Sequence, residues 1–439
     1  MWCLRVKRDV LFICLVVLVF EFCSEEGGGR GEEEDYEVFL GVEDVFCTEV
    51  VLRVGLPDSG GVNSFNVVRD DSVVGVYSTS DNDTVIIDGG LMPDRDYEYR
   101  VDLVDGGRVR VSSESVVVHT LDTTSHEVRW SIDTLGIAGW ISDAWVVDED
   151  DIWVVGKIVV PDPDSSWNGT GYEDFNAAHW DGEEWELIRA CGSGPRYSIW
   201  YFGENDIWVT TFGLPIHWNG IEWKLYHIQN MGIDASAGFG IWASSPDDIY
   251  FVGYKGSIVH YDGKDFEKLE SGTDINLLDI DGTPDGRRIY ICGHNIVVPS
   301  RSVVLELVDG EVREFYYVEG LYEEGTYGYV GALSLKGHNV YFSTPAGIWR
   351  YDFKNGISEL MNIGGTELGD LFVNDYNDII GFSGGMGYVH YNGRDWREVY
   401  RLRYVDGGYR GGCYRDGIAV MVGYTYDLRG IIAIGFHKR

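Results

Sequence analysis

From residue 143 onward the chain keeps returning to one pattern, and that constrains its fold more than any other feature of the 439 residues. One copy reads DAWVVDEDDIWVVG (143–156), then, after an insertion, AHWDGEEWEL (178–187). The next two are SIWYFGENDIWVTTFGLPIHWNGIEWKLY (198–226) and GIWASSPDDIYFVGYKGSIVHYDGKDFEKLE (240–270). Another is GDLFVNDYNDIIGFSGGMGYVHYNGRDWREVY (369–400). Between them lie two weaker copies, at 277–316 and 330–360, and a last one fills 412–439. A period of about 40–55 residues is that of a supersecondary unit, which buries its apolar faces only by stacking on its neighbours.

Each copy reads as four short strands. Strand A is an apolar stretch such as Ser198-Ile199-Trp200, and strand B is the Ile-Trp or Ile-Tyr stretch of Ile152-Trp153, Ile207-Trp208 and Ile249-Tyr250. Strand C ends in His-Trp or His-Tyr. An Asx-Gly pair follows it, at Asp181-Gly182, Asn219-Gly220, Asp262-Gly263, Asp309-Gly310 and Asn392-Gly393. Asx-Gly accepts the positive φ of a tight hairpin. Strand D carries Trp185, Trp223, Phe266 or Trp396. Four antiparallel strands repeated radially make a β-propeller. The copies count to seven blades, six or eight being the alternatives. The last copy lacks an outer strand, and residues 126–132 (HEVRWSI) are placed to supply it. That would join the two ends of the domain in one blade and remove the open edge.

The repeats resemble those of bacterial extracytoplasmic propellers of the sialidase-like and sensor-propeller groups. That resemblance implies a fold and says little about activity, because propellers host unrelated functions. Arginine triads and S-x-D-x-G-x-x-W boxes would mark sialidase chemistry; the sequence has no such box, and its DGEEW, NGIEW and NGRDW turns only echo the end of one.

Residues 37–121 lie ahead of the repeats and alternate in about seven short strands with turns at 57–61, 88–90 and 105–107. This is the pattern of an antiparallel sandwich. Leu91-Met92-Pro93-Asp94-Arg95-Asp96-Tyr97-Glu98-Tyr99-Arg100-Val101 resembles the L-x-P-x-x-x-Y-x-Y-x-V segment of fibronectin type III domains, in which the first Tyr ties a connection back to the sheet. The resemblance implies a spacer or docking module. The fold class expected for the chain is therefore all-β: a sandwich at 37–121 and a propeller at 126–439.

The first 23 residues read as export machinery. A basic start (Arg5, Lys7, Arg8) precedes the apolar run Val10–Phe20, which is too short for a comfortable span and suits a signal segment. Cys23 and the acidic, Gly-rich residues 24–36 that follow resemble a lipoprotein tether. Phe20-Glu21-Phe22 departs from the usual small-residue site, so lipid attachment at Cys23, ordinary cleavage and an uncleaved anchor stay open. The expected location is extracytoplasmic, secreted or envelope-anchored, with membrane contact only through this N-terminal segment.

A formal net charge of −38 repels phosphate backbones and argues against a nucleic-acid partner. Seven Cys show no paired spacing, which disfavours a disulfide framework or a zinc site. The recurring His179, His217, His260 and His390 fall one per blade, so they are read as structural groups bonding across their blades as polar partners of the Asx turns. No catalytic residue, metal site or cofactor is assigned; Asp279–Gly286 only faintly resembles a calcium loop.

Short, repetitive A–B and C–D turns would share one face, and variable B–C and D–A loops the other. Variation on a rigid scaffold marks the ligand side. The candidate ligand-binding residues there are Asp162, Asp164, Trp167, Tyr172, Arg196, Tyr322, Glu323, Tyr327, Tyr329, Tyr409 and Arg410. Aromatic and carboxylate groups together suit sugar rings or peptides. The expected function is binding or scaffolding of a protein or glycan partner. The alternative is a carbohydrate-active hydrolase or lyase using acidic residues of the variable face.

Overall fold

The structure is a computed structural model. It describes residues 37–58, 62–164, 166, 169–295, 299–320, 327–361, 363, 368–383, 387–399 and 407–437. Cys23, the 24–36 tether, Trp167, Tyr322 and Glu323 lie outside the described residues.

Seven four-stranded antiparallel sheets follow one another along the chain from residue 138. Blade 1 runs from Ala138–Asp148 (strand A) through Asp151–Pro161 and Tyr172–Trp180 to Trp185–Ile188 (strand D). Blades 2 to 6 begin with Ile199–Gly203, Gly240–Ser245, Leu277–Gly282, Leu333–Lys336 and Leu368–Asp375. Blade 7 contains Gly407–Arg415, Ile418–Thr425 and Gly430–His437. Its fourth strand is Val128–Leu135, paired antiparallel with Gly430–His437 from Leu135 opposite Gly430 to Val128 opposite His437. The expected closure is thus present, and the count is seven.

The repeated residues earn their places locally. Gly182, Gly220, Gly263 and Gly393 have φ between 83° and 92°. The Asx before each accepts backbone N–H bonds from two and three residues ahead, as Asp181 Oδ1 does from Glu183 and Glu184. A Cβ on Gly182 would also strike Asp150 of the A–B turn, so both φ and packing demand glycine there. The repeated His lies opposite the strand B aromatic and stacks on it: Trp153–His179 and Trp208–His217 have centroids 4.4 and 4.2 Å apart. Each Nε2 bonds the Asp that opens strand B: Asp151, Asp206, Asp248 and Asp378, at 2.8–3.0 Å. The bond across the blade is as expected, but its partner is that Asp and not the Asx turn, because the cross-strand register sets His beside strand B.

The N-terminal sandwich consists of one sheet in the order Phe39–Val45, Glu49–Gly55, Asp83–Gly89, and a second built on Ser72–Thr79, Asn63–Arg69, Asp96–Asp105 and Arg108–Ser112, with Val116–His119 also pairing onto Asp96–Asp105. Its core includes Val50, Leu52, Phe65, Tyr99 and Val101. Tyr97 Oη accepts the Met92 N–H at 2.8 Å, tying the connection to the sheet.

The sandwich lies directly against blades 5 and 6, on the face of the short A–B and C–D turns. Phe46 packs on Tyr376 at 4.7 Å, and the Arg350 guanidinium lies 4.5 Å from its ring centre. Arg350 also pairs with Glu49 at 2.5 Å, and Lys354 with Glu43. Buried Asp44 accepts from Asn339 (3.0 Å) and Tyr376 (3.1 Å). His338 Nε2 lies 2.7 Å from Asp44 Oδ2 and 3.7 Å from Asp352 Oδ2. The connecting segment is held as well: Thr124 Oγ1 donates to the Asn377 carbonyl, and Asn377 Nδ2 to the Asp122 carbonyl.

Candidate functional site

All seven blades line an axial cavity of about 770 Å³. It involves the ends of the strands that carry the D–A and B–C loops, the face opposite the sandwich. Four lining positions are produced by one local device. The A–B register slips between Ile141 and Asp143, Leu277 and Asp279, Leu368 and Asp370, and Tyr409 and Gly411. Each slip is a β-bulge with one extra residue, which re-aims side chains. The extra residues Ser142, Leu278, Gly369 and Arg410 all line the cavity.

After three of these bulges comes an aspartate, and Asp143, Asp279 and Asp370 all line the cavity. Each Oδ1 accepts the N–H of the next residue, at 2.8–2.9 Å. Two of them also stitch neighbouring blades. Asp143 Oδ2 accepts from Ser198 Oγ and the Ile199 N–H, both at 3.0 Å. Asp279 Oδ2 accepts the Leu333 N–H at 2.8 Å, and Asp281 repeats the bridge to Leu335. Burial pushes the Asp143 carboxyl up to about 7, and burial raises Asp279 and Asp370 too. Charge on Asp279 and Asp143 raises Asp370 further. Three carboxyls thus share one low-dielectric space and resist ionising together.

Aromatic and cationic groups surround them. Tyr197, Phe239, His294, Tyr329 and Arg410 lie where strand A begins or strand B ends, at the loop side, and Trp145, Trp200, Phe372 and Tyr414 lie further along strand A. His294 and Tyr329 rings are 5.1 Å apart. The Arg410 guanidinium lies 4.9 Å from the Tyr424 ring centre and remains exposed. The Trp145 indole N–H is buried without a partner. Cys413 borders the same space, but burial lifts its thiol to about 11, so it carries no thiolate near neutrality.

The candidate residues chosen from sequence separate into groups. Tyr329 and Arg410 come together at the cavity. Tyr409, beside Arg410, has a buried hydroxyl with no partner. Arg196 is 1% exposed and donates to the carbonyls of Ala190, Cys191, Gly194 and Pro195, so it fastens the loop between blades 1 and 2. Tyr327 stacks on Trp349 at 4.3 Å. Asp162 and Asp164 occupy the long B–C connection of blade 1 and Tyr172 opens strand C after it; Asp162 is buried, the other two exposed. As a set the cavity aspartates escaped sequence reasoning, which met Asp279 only in a calcium-like stretch, because the bulges that aim them leave no motif. Only the shared placement of Asp near the start of strand A could have signalled them.

No family model and no curated protein matches this chain. Among solved structures it is similar to YCF48 bound to D1 peptide, at 13% identity and a TM-score of 0.53, over 72% of this chain and 97% of that one. It is likewise similar to YCF48 from Cyanidioschyzon merolae, at 13% identity and a TM-score of 0.51, over 70% and 98% of the two chains. At such identity the likeness is one of fold. No helix among the described residues is long and apolar enough to cross a membrane.

Proposed function

We propose that this is a non-catalytic binding protein that receives a segment of a partner protein at the loop-side mouth of its axial cavity. The observation that carries the reading is the cavity itself: every blade contributes to it, and the sandwich packs against the opposite face. Its size suits a few side chains of an extended segment. A net charge of −38 favours a basic segment, with Asp370 and the rings of Tyr197, Phe239 and Tyr329 lining its path. The similar YCF48 structure holds a D1 peptide, which supports a peptide as the class of occupant. The sandwich, read as a fibronectin type III-type module, would hold the propeller from its back. Export and anchoring through residues 1–23 and Cys23 would place the open face outside the cytoplasm.

A glycan occupant is the weaker reading, and catalysis on it weaker still. What favours catalysis is the raised carboxyls, the state a glycosidase acid needs. Against it, Asp143 and Asp279 spend both oxygens on hydrogen bonds, Oδ1 on the next residue's N–H and Oδ2 on the neighbouring blade.

Selection of a displayed random peptide library on the purified chain tests the proposal. Basic, aromatic-containing peptides should be enriched, and Asp370→Asn or Tyr329→Ala should weaken them at least tenfold. Glu183→Ala, on the short-turn face, should leave binding unchanged. Absence of enrichment, or binding indifferent to both cavity variants, would overturn it. Release of reducing sugar from a glycan panel would favour the enzyme.

A further inference from the structure

One-per-blade histidines do not converge, yet at the ring closure three do. His390 belongs to strand C of blade 6 and His437 to the end of strand C of blade 7, while His126 sits just ahead of the closing strand. His390 packs edge-on against both others, with centroids 4.9 Å from His126 and 4.7 Å from His437. In blades 1 to 3 the equivalent His stacks on a Trp or Tyr; here Ile380 stands opposite it.

The contacts of this cluster demand a proton that neutral rings do not carry. His126 Nε2 is 3.0 Å from Asp395 Oδ1, His126 Nδ1 is 2.8 Å from His390 Nδ1, and His390 Nε2 is 3.0 Å from Asp378 Oδ1. Three hydrogen bonds need three protons, and two neutral imidazoles have two. A cation between His390 Nε2 and Asp378 removes the conflict. His390 Nδ1–H then donates to His126, whose Nε2–H donates to Asp395, and both rings stay neutral.

A further ligand is in place. The His437 side chain is only 8% exposed; its Nε2 has no hydrogen-bond partner and its Nδ1 stops 4.0 Å from Asp378 Oδ1. One ligand atom each from Asp378, His390 and His437 fall within 4.8 Å of one another. Ligands at about 2.0–2.2 Å in tetrahedral array stand roughly 3.4 Å apart, so small side-chain shifts would close the set. Tyr414 Oη donates to Asp378 Oδ2 at 2.6 Å and fixes that carboxylate. Bonds of this outer kind orient ligands in metal sites, and His126 does the same for His390.

We propose that Asp378, His390 and His437 bind a zinc-class divalent cation that pins blade 6 to blade 7 at the closing seam. Nitrogen and carboxylate donors in a three-ligand set suit Zn²⁺ or Co²⁺ rather than Ca²⁺ or Mg²⁺.

The test is cobalt and zinc titration of the metal-stripped full chain. One equivalent of Co²⁺ should give the visible absorption of a tetrahedral site, displaced by Zn²⁺, and Zn²⁺ should raise the melting temperature by several degrees. His437→Ala should abolish both, whereas His217→Ala, from an ordinary Asp–His pair, should keep both. If His437→Ala does not fold, Asp378→Asn and chelation of the zinc-loaded wild type give the same reading. The proposal fails if the wild type binds less than about a tenth of an equivalent, or if His437→Ala, or Asp378→Asn in its place, binds like wild type.

Discussion

The two faces of the propeller are made of the same strands and have opposite characters. On the short-turn face, A–B and C–D hairpins repeat almost unchanged and glycine packs turn on turn, as Gly182 does on Asp150. That regular surface receives the sandwich through Phe46, Asp44 and Glu49. On the loop face, connections vary and bulges turn Asp143, Asp279, Asp370 and Arg410 to the axis. Regularity makes a docking floor; irregularity makes a lined cavity. Substitutions on the first should therefore register as stability, and on the second as binding.

The largest effect should come from the strand that serves neither face. Deleting residues 128–135 leaves Gly430–His437 an unpaired edge. Loss of a single cooperative thermal transition is expected, and an unchanged melting temperature would refute closure as a requirement. Next comes Arg350→Ala. It strips buried pairing from Glu49 and packing from Phe46. A loss of about 3–5 kcal/mol in urea unfolding is expected, the range for breaking a buried ion pair.

A smaller effect should follow pH. Asp44 beside His338, helped by Asp352, raises the imidazole above its ordinary 6.5, with Lys354 opposing. A raised folded value means the contribution is complete below about 6.5 and fades as pH climbs through the folded value. Docking should therefore be firmer at about pH 5.5 than at 8.5. Asp44→Asn should flatten that difference in melting temperature, and an equal slope in the variant would contradict it. Smallest of all, Arg410→Ala should change unfolding by within about 0.5 kcal/mol, as surface changes usually do. A larger loss would show that this exposed arginine serves the fold.

Much of the architecture was legible because it is written in repeated local chemistry. Asx-Gly fixes a turn wherever it occurs, and the missing outer strand of the last copy pointed to residues 126–132. Tyr329 and Arg410 were reachable by asking which loops vary. What was not legible depends on contacts far apart in the chain. Asp44 meets Asn339 across nearly 300 residues, and no periodicity announces it. His126 and His437 belong to no repeat position, so counting one histidine per blade missed their meeting with His390. Arg196 looked like an exposed cation; folding turns it inward, where carbonyls saturate it.

The borrowed strand of blade 7 also sets a timetable. Val128–Leu135 must wait for a partner about 300 residues downstream. At about 5–20 residues per second of synthesis, that is roughly 15–60 s with an edge unpaired. For that interval the edge of Val128–Leu135 stands open to any stray strand. A chain built this way keeps one blade open until its last strand arrives.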